Sequence, residues 1–447
     1  MKLHLSRRQL LATTAGAAVA AVAAGSPLVA QEQVPITIVI NQSPWFPGFQ
    51  QVVELYQQET GNEVALDINP FAGSLEKQRT AVRAATSPFD ILVMNAGFFV
   101  EFYTGGFIEP IPNIDPAFAL GPDIYTFDDS VFWDPEAKRI DATTGSLHSV
   151  PVNPFLPILH YRRDLYEEHG LAVPKTWDAL YENAKVLHDP PRIYGISQRG
   201  QRGAFDVTFD VLPYVWSHGG DLFADQKGGD FTVAINSPET RAGMETYLRL
   251  AKDVGHPSTA GQTQTNVIQN MATGRAGHIQ GVPAPALFDD PSQSAVVDKV
   301  AYAMVPAAEG FEPAPPLGHW LAGIPKNIPD ERKKAALAFL AWFQTDAAQR
   351  AYAEAGSPPV SRAVLTSDMA QEERYRYMPA LAESLEHARL TFVIPEASQV
   401  LAVTELRFNQ AISGELGLVE ALNTAAQEIH DVMTQAGYDA PMLDPLQ

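Results

Sequence analysis

Residues Leu147 to Trp177 read LHSVPVNPFLPILHYRRDLYEEHGLAVPKTW. Prolines at 151, 154 and 157 punctuate an apolar run that leads into Tyr161, a charged helix start, a turn at Gly170 and a Pro-Lys-Thr-Trp helix entry. Proline fixes φ and has no N–H to donate, so a strand in mid-sheet does not continue undisturbed through such a run. The stretch therefore reads as a segment crossing between two bodies, with function in the crevice between them.

Length agrees with two bodies. A chain of 447 residues exceeds one ordinary core, and two units of roughly 150 to 200 residues are expected. With 46% apolar and 19% charged residues, the composition is that of a folded globular protein. The first thirty residues stand apart as an export signal, with a basic start, an Ala-rich run and small residues before a cut after Ala30. Arg7 and Arg8, in Ser-Arg-Arg-Gln-Leu-Leu, resemble the twin-arginine signal. The run from Leu10 to Ala24, broken by Thr13, Thr14 and Gly16, is short for a membrane anchor.

There is no cysteine, which excludes disulfides, thiolate metal sites, a cysteine nucleophile and a lipid-carrying cysteine. A soluble periplasmic protein is expected. The net charge is −21, or −24 once the signal is removed. Such a surface repels nucleic acid and anionic membrane and suits a neutral or cationic small ligand.

Outward from the crossing, ITIVI at 36–40 is a strand of the type buried on both faces. Phe49, Val52, Val53 and Tyr56 fall at helical spacing before Gly61, and Val64, Leu66 and Ile68 alternate as a strand. Leu75 to Ala85 reads as a helix and FDILVM at 89–94 as another strand. Strands alternating with helices form an α/β sheet, whose ligands sit beyond the carboxyl ends of the strands, here near 42–45 and 95–99.

Past the crossing, Thr176 caps a helix running to about His188, and Ile193 to Ser197 reads as a short strand. Ser237-Pro238 opens a helix with Met244, Tyr247, Leu248 and Ala251 on one face. Val300 to Pro306 and Leu317 to Ile324 read as strands, and Asp330 as the cap of a helix burying Ala336, Phe339, Leu340 and Phe343. Leu418, Ala421, Leu422, Ala425 and Ile429 mark a last amphipathic helix.

This order of pieces resembles the family 1 extracellular solute-binding proteins, the periplasmic sugar receptors of ABC importers. The resemblance rests on ETGNEV, SPFDILVMNAGF, the VPVN to PKTWDAL crossing, and GHWLAGIPKNIPDERKKAALAFLAWF. IYGISQRGQRG followed by WSHGGDLFAD is similar to the branch that binds mannitol and sorbitol, with Arg199-Gly200 and Gly219-Gly220 at the matching positions. The resemblance implies a two-lobed α/β fold of the type II periplasmic-binding-protein kind, both lobes discontinuous. Three crossings are implied, near Val150 to Asn153, Val300, and Pro325 to Asn327. Residues 31–152 with 301–326 then make one lobe, and 153–300 with 327–447 the other. It also implies a non-enzymatic, monomeric receptor without cofactor that hands its ligand to permease transmembrane subunits.

Polyol recognition needs aromatic faces for C–H surfaces and planar polar groups for neighbouring hydroxyls. Trp320 matches the family's cleft tryptophan, and His319 stands where the family has a second glycine. Trp45 and Gln42 lie in the loop after the first strand, and Asn95 ends the FDILVM strand. Asn153 lies on the crossing, Arg199 follows the Tyr-Gly-Ile strand, and Gln280 lies in GRAGHIQG. The competing readings are a core tryptophan for Trp320, an exposed lid aromatic for Trp45, turn formation for Asn95 and a surface arginine in a flexible loop for Arg199.

Enzyme motifs are missing: there is no His-Glu-x-x-His, Gly-x-Ser-x-Gly, P-loop or dinucleotide glycine pattern. A secreted carbohydrate-active enzyme remains as an alternative without an evident carboxylate pair. The stronger alternative is the same fold with another solute, such as an oligosaccharide, an amino-acid derivative or a phosphorylated polyol.

Overall fold

The computed structural model describes residues 33–447 apart from Ala204. The export signal, with Arg7 and Arg8, lies outside the described residues. The first body alternates as expected: β1 (Ile36–Asn41), α1 (Phe46–Thr60), β2 (Val64–Asn69), α2 (Phe71–Arg83) and β3 (Ile91–Asn95). Gly61 ends α1 at φ 73°, a left-handed stop that glycine adopts without a Cβ penalty. The crossing supplies β4 (Ser149–Asn153) and β5 (Ile158–Arg162), and α3 (Trp177–Leu187) follows, its cap Thr176 accepting from the Ala179 N–H at 3.2 Å.

The second body continues with α4 (Asp206–Trp216), α5 (Pro238–Asp253), α6 (Gln264–Ala272), β6 (His278–Gly281) and β7 (Val300–Ala303). Next come β8 (Trp320–Gly323), α7 (Asp330–Phe343), α8 (Asp346–Glu354), α9 (Met378–His387), α10 (Ala397–Ser413) and α11 (Leu418–Gln435). The main sheet has the order β2-β1-β3-β8-β4, with β8 antiparallel to both neighbours. A second sheet, β6-β5-β7, is antiparallel throughout. β4 and β5 thus lie in different sheets, with Pro154 and Pro157 between them.

Two expectations about the crossings are corrected. Val300–Ala303 pairs with β5 in the second sheet, so the chain returns to the main sheet only after it, before Trp320. Pro325 to Asn327 does not cross, because its backbone is tied to the first body. Lys326 N–H donates to Phe107 O at 2.9 Å and Ser87 N–H to Asn327 O at 3.0 Å. The helix at 330–343 accordingly packs on the first body, with the Phe49 ring 6.2 Å from Phe339 and 5.7 Å from Phe343. The third crossing comes later, through 366–377, to α9, which contacts β5 and β7. An amphipathic stripe shows that a helix has a buried face, but not which sheet receives it.

Two smaller expectations also change. Ile193 to Ser197 makes isolated bridges, Tyr194 with Ala276 and Ser197 with Ile279, rather than a strand. Pro329 holds the cap position of α7, and Asp330 is its first helical residue, where a negative charge still suits the helix dipole.

Helices α4, α5, α10 and α11 pack together around the second buried cluster, which includes Tyr214, Tyr247, Phe408 and Ile429. A Cβ on Gly243 would lie 2.6 Å from the Val215 Cα, so glycine permits the close approach of α5 to α4.

Candidate functional site

Asn41 ends β1, Asn95 ends β3, and Trp320 opens β8 in register with Asn95 and Asn153. These strand ends form one wall of a cavity of about 210 Å³, joined by the 42–44 loop and Phe71. Arg199, Phe205, Asp206, Phe209 and Gln264 form the opposite wall from the second body, and Phe155 and Gly318 lie along the crossing segments. A larger depression of about 660 Å³ beside Gly417 to Thr424 is lined by no residue that carries a buried unpaired polar atom among the described residues.

Of the residues expected in the site, Gln42, Asn95, Arg199 and Trp320 line the cavity. Trp45 stands behind it, 3% exposed, with its ring 5.7 Å from that of Trp320. Three expected contacts are corrected. Asn153 turns its amide to the Tyr352 hydroxyl at 3.2 Å, and Gln280 donates to the Tyr214 hydroxyl at 2.8 Å. His319 is wholly buried between the Phe127 and Phe99 rings, with Nε2 2.9 Å from Ser130 Oγ. Burial pushes its pKa down to about 3, so the ring is neutral. His319, just before β8, and Trp320, its first residue, diverge: His319 packs on Phe99 and Phe127, and Trp320 on Trp45 and Phe71.

Asn95 is committed to the backbone, with Oδ1 accepting from Gly97 N–H at 3.0 Å and Nδ2 donating to Gly318 O at 2.9 Å. It shapes the wall by tying β3 to the crossing segment. Other cavity atoms are buried without a partner among the described residues: Arg199 Nη2, Asn41 Oδ1 and Trp320 Nε1. Buried polar atoms are ordinarily satisfied, so these mark where a ligand or water completes the set. The aromatic surface comes from Trp320, Phe71, Phe155, Phe205 and Phe209.

The single guanidinium is heavily engaged. Arg199 Nε donates to Asp210 Oδ1 at 3.2 Å, Nη1 donates to Gln264 Oε1 at 3.2 Å, and the group lies over the Phe209 ring. Nη1 is also 3.9 Å from Asp206 Oδ1. Burial pushes Asp210 up to about 6 and raises Asp206 against the attraction of Arg199.

Glu405 on α10 accepts from the Gly203 and Thr208 N–H groups, and burial pushes it up to about 8. The folded chain therefore keeps a proton that the unfolded chain has released above its ordinary carboxyl range. Stability from this group is full below the unfolded pKa and falls as pH rises toward 8, by at most about 1.4 kcal/mol per pH unit. Asp210 adds a loss of the same sign below about pH 6. Glu405→Gln should remove the Glu405 share, so urea midpoints at about pH 6.5 and 7.5 converge relative to wild type. A slope equal to that of wild type would place the titration elsewhere.

Sequence reasoning missed Asp206, Phe205, Phe209 and Gln264. One signal was present. DVTFDVLPYVW carries acids four apart in an otherwise apolar run, which puts two carboxyls on one face of a buried helix that needs a cation.

Known proteins share this architecture. The model described as bacterial extracellular solute-binding protein matches residues 40–350. The mannitol-binding protein of Pseudomonas aeruginosa PAO1 is 25% identical over 449 residues, covering 94% of this chain and 98% of that protein. The sn-glycerol-3-phosphate-binding periplasmic protein of Agrobacterium fabrum C58 is 26% identical over 179 residues, 39% of each chain. An ABC transporter solute-binding protein from Agrobacterium radiobacter K84, solved in complex with ribitol, superposes with a TM-score of 0.76. It is 21% identical and covers 89% of this chain and 98% of its own. The fold is that of a type II periplasmic binding protein. The chain belongs to the bacterial extracellular solute-binding protein family.

Proposed function

We propose that this protein is the receptor of an ABC importer, capturing a sugar or sugar alcohol in the cleft and delivering it to the permease. The observation that carries the reading is the set of unpaired atoms beside aromatic faces. Arg199 Nη2 and Trp320 Nε1 are donors, and Asn41 Oδ1 is an acceptor. A hydroxyl both donates and accepts, so a polyol can meet all three while its C–H surface lies on the rings. Two lobes closing about the crossing segments would bring the walls together, with ligand shifting the population toward the closed form. Gln42 has an exposed side chain at the rim, where it joins the site on closure. The receptor acts as a monomer in the periplasm, exported by the signal at 1–30. Among the described residues no helix is long and apolar enough to cross a membrane.

A thermal-shift screen of mannitol, sorbitol, xylitol, arabitol, monosaccharides and disaccharides tests the reading. Ligand at about 100 times its Kd should add about 2.7 kcal/mol of stability. Silence across these carbohydrates, with a response to another solute class, overturns it.

A further inference from the structure

Two helix N-termini face the cavity, that of α4 at Phe205 and Asp206 and that of α6 at Gln264 and Thr265. Unpaired N–H groups and the helix dipole would make such ends receptive to an anionic ligand. Here the chain's own groups occupy them. Asp206 Oδ1 accepts from the Gln264 N–H at 2.9 Å, and Thr263 Oγ1 accepts from Asn266 N–H at 3.2 Å. At α4, Glu405 accepts from Thr208 N–H at 3.1 Å and also from Gly203 N–H.

The charges point the same way. Only Arg199 and Asp206 among the cavity-lining residues carry charge, and Arg199 is also paired with the buried Asp210. One guanidinium thus faces two carboxylates, and an arriving phosphate would meet net negative ground in a site of low dielectric. The second oxygen of Asp206 accepts no hydrogen bond from the described residues, which leaves it able to receive a hydroxyl or an ammonium.

We infer that Asp206 determines specificity, so that the cleft accepts uncharged and amine-bearing polyols and refuses phosphorylated ones. This deepens the proposed polyol reading and rests on it. It also separates the site from that of a receptor for a phosphorylated polyol, although one such receptor matches part of this chain.

Calorimetric titration of the wild-type protein at pH 7 with D-mannitol and D-sorbitol, their 1-amino-1-deoxy counterparts and their phosphates tests the inference. The amines should bind at least as tightly as the parent polyols, and the phosphates at least about 100-fold more weakly. A phosphate that binds as tightly as its neutral parent overturns the inference and leaves the polyol reading standing. Silence from all six overturns both. Asp206→Asn should lower the amine-to-neutral affinity ratio by about tenfold, whereas parallel losses for both ligands would show a merely structural role and overturn the assignment. Should that variant fail to fold, the wild-type order of affinities decides.

Discussion

Arg199→Met should lower the free energy of unfolding by about 3–5 kcal/mol, the usual result of breaking a buried pair from one side. The guanidinium is 2% exposed, and Asp210 is wholly buried beneath it. Without it, Asp210 keeps, among the described residues, only the residue-199 N–H at 2.9 Å and is driven to take up a proton. Methionine covers the Phe209 face but donates nothing, so binding should also be lost. Adding Asp210→Asn removes the stranded charge and should recover part of the stability while leaving binding absent. Urea titration measures the first effect and calorimetry with the best polyol the second. A single variant within about 1 kcal/mol of wild type would mean that the pair is energetically idle.

Trp320→Ala should be comparably severe. The ring is 3% exposed and touches both Trp45, at 5.7 Å, and Phe71, at 6.0 Å, on a central strand of the main sheet. Truncation should therefore cost about 3–5 kcal/mol through the cavity left behind and weaken polyol binding by more than about 100-fold. Trp320→Phe separates the two roles. It keeps an apolar face but loses Nε1, so stability should largely recover while affinity stays about tenfold down. Equal affinity in Trp320→Phe and wild type would assign the tryptophan to packing alone.

Much of the fold was readable from pattern. ITIVI and FDILVM are buried strands because their apolar runs satisfy two covered faces, and Thr176 and Ser237 cap helices as their positions suggested. The helix at 206–216 escaped because all its residues are buried, so no amphipathic stripe announces it. Site residues were harder. Gln280 and Asn153 are planar amides of the right type, but each is used by a tyrosine hydroxyl 66 or 199 residues away. Arg199 was found from the resemblance, whereas the two carboxyls that pair with it, Asp206 and Asp210, came from α4.

By itself the sequence determined that the chain is cysteine-free and acidic, that its opening alternates strand and helix, and that a proline-rich segment separates two bodies. Those properties are local, set by backbone sterics and hydrophobic period. Only the tertiary structure decided that the third crossing falls through 366–377, that Trp320 faces the cavity while His319 does not, and that Asp206 and Glu405 occupy the helix ends. Each depends on partners brought together over long separations, as with Glu405 and Thr208, 197 residues apart. Burial makes each such group's state depend on those partners.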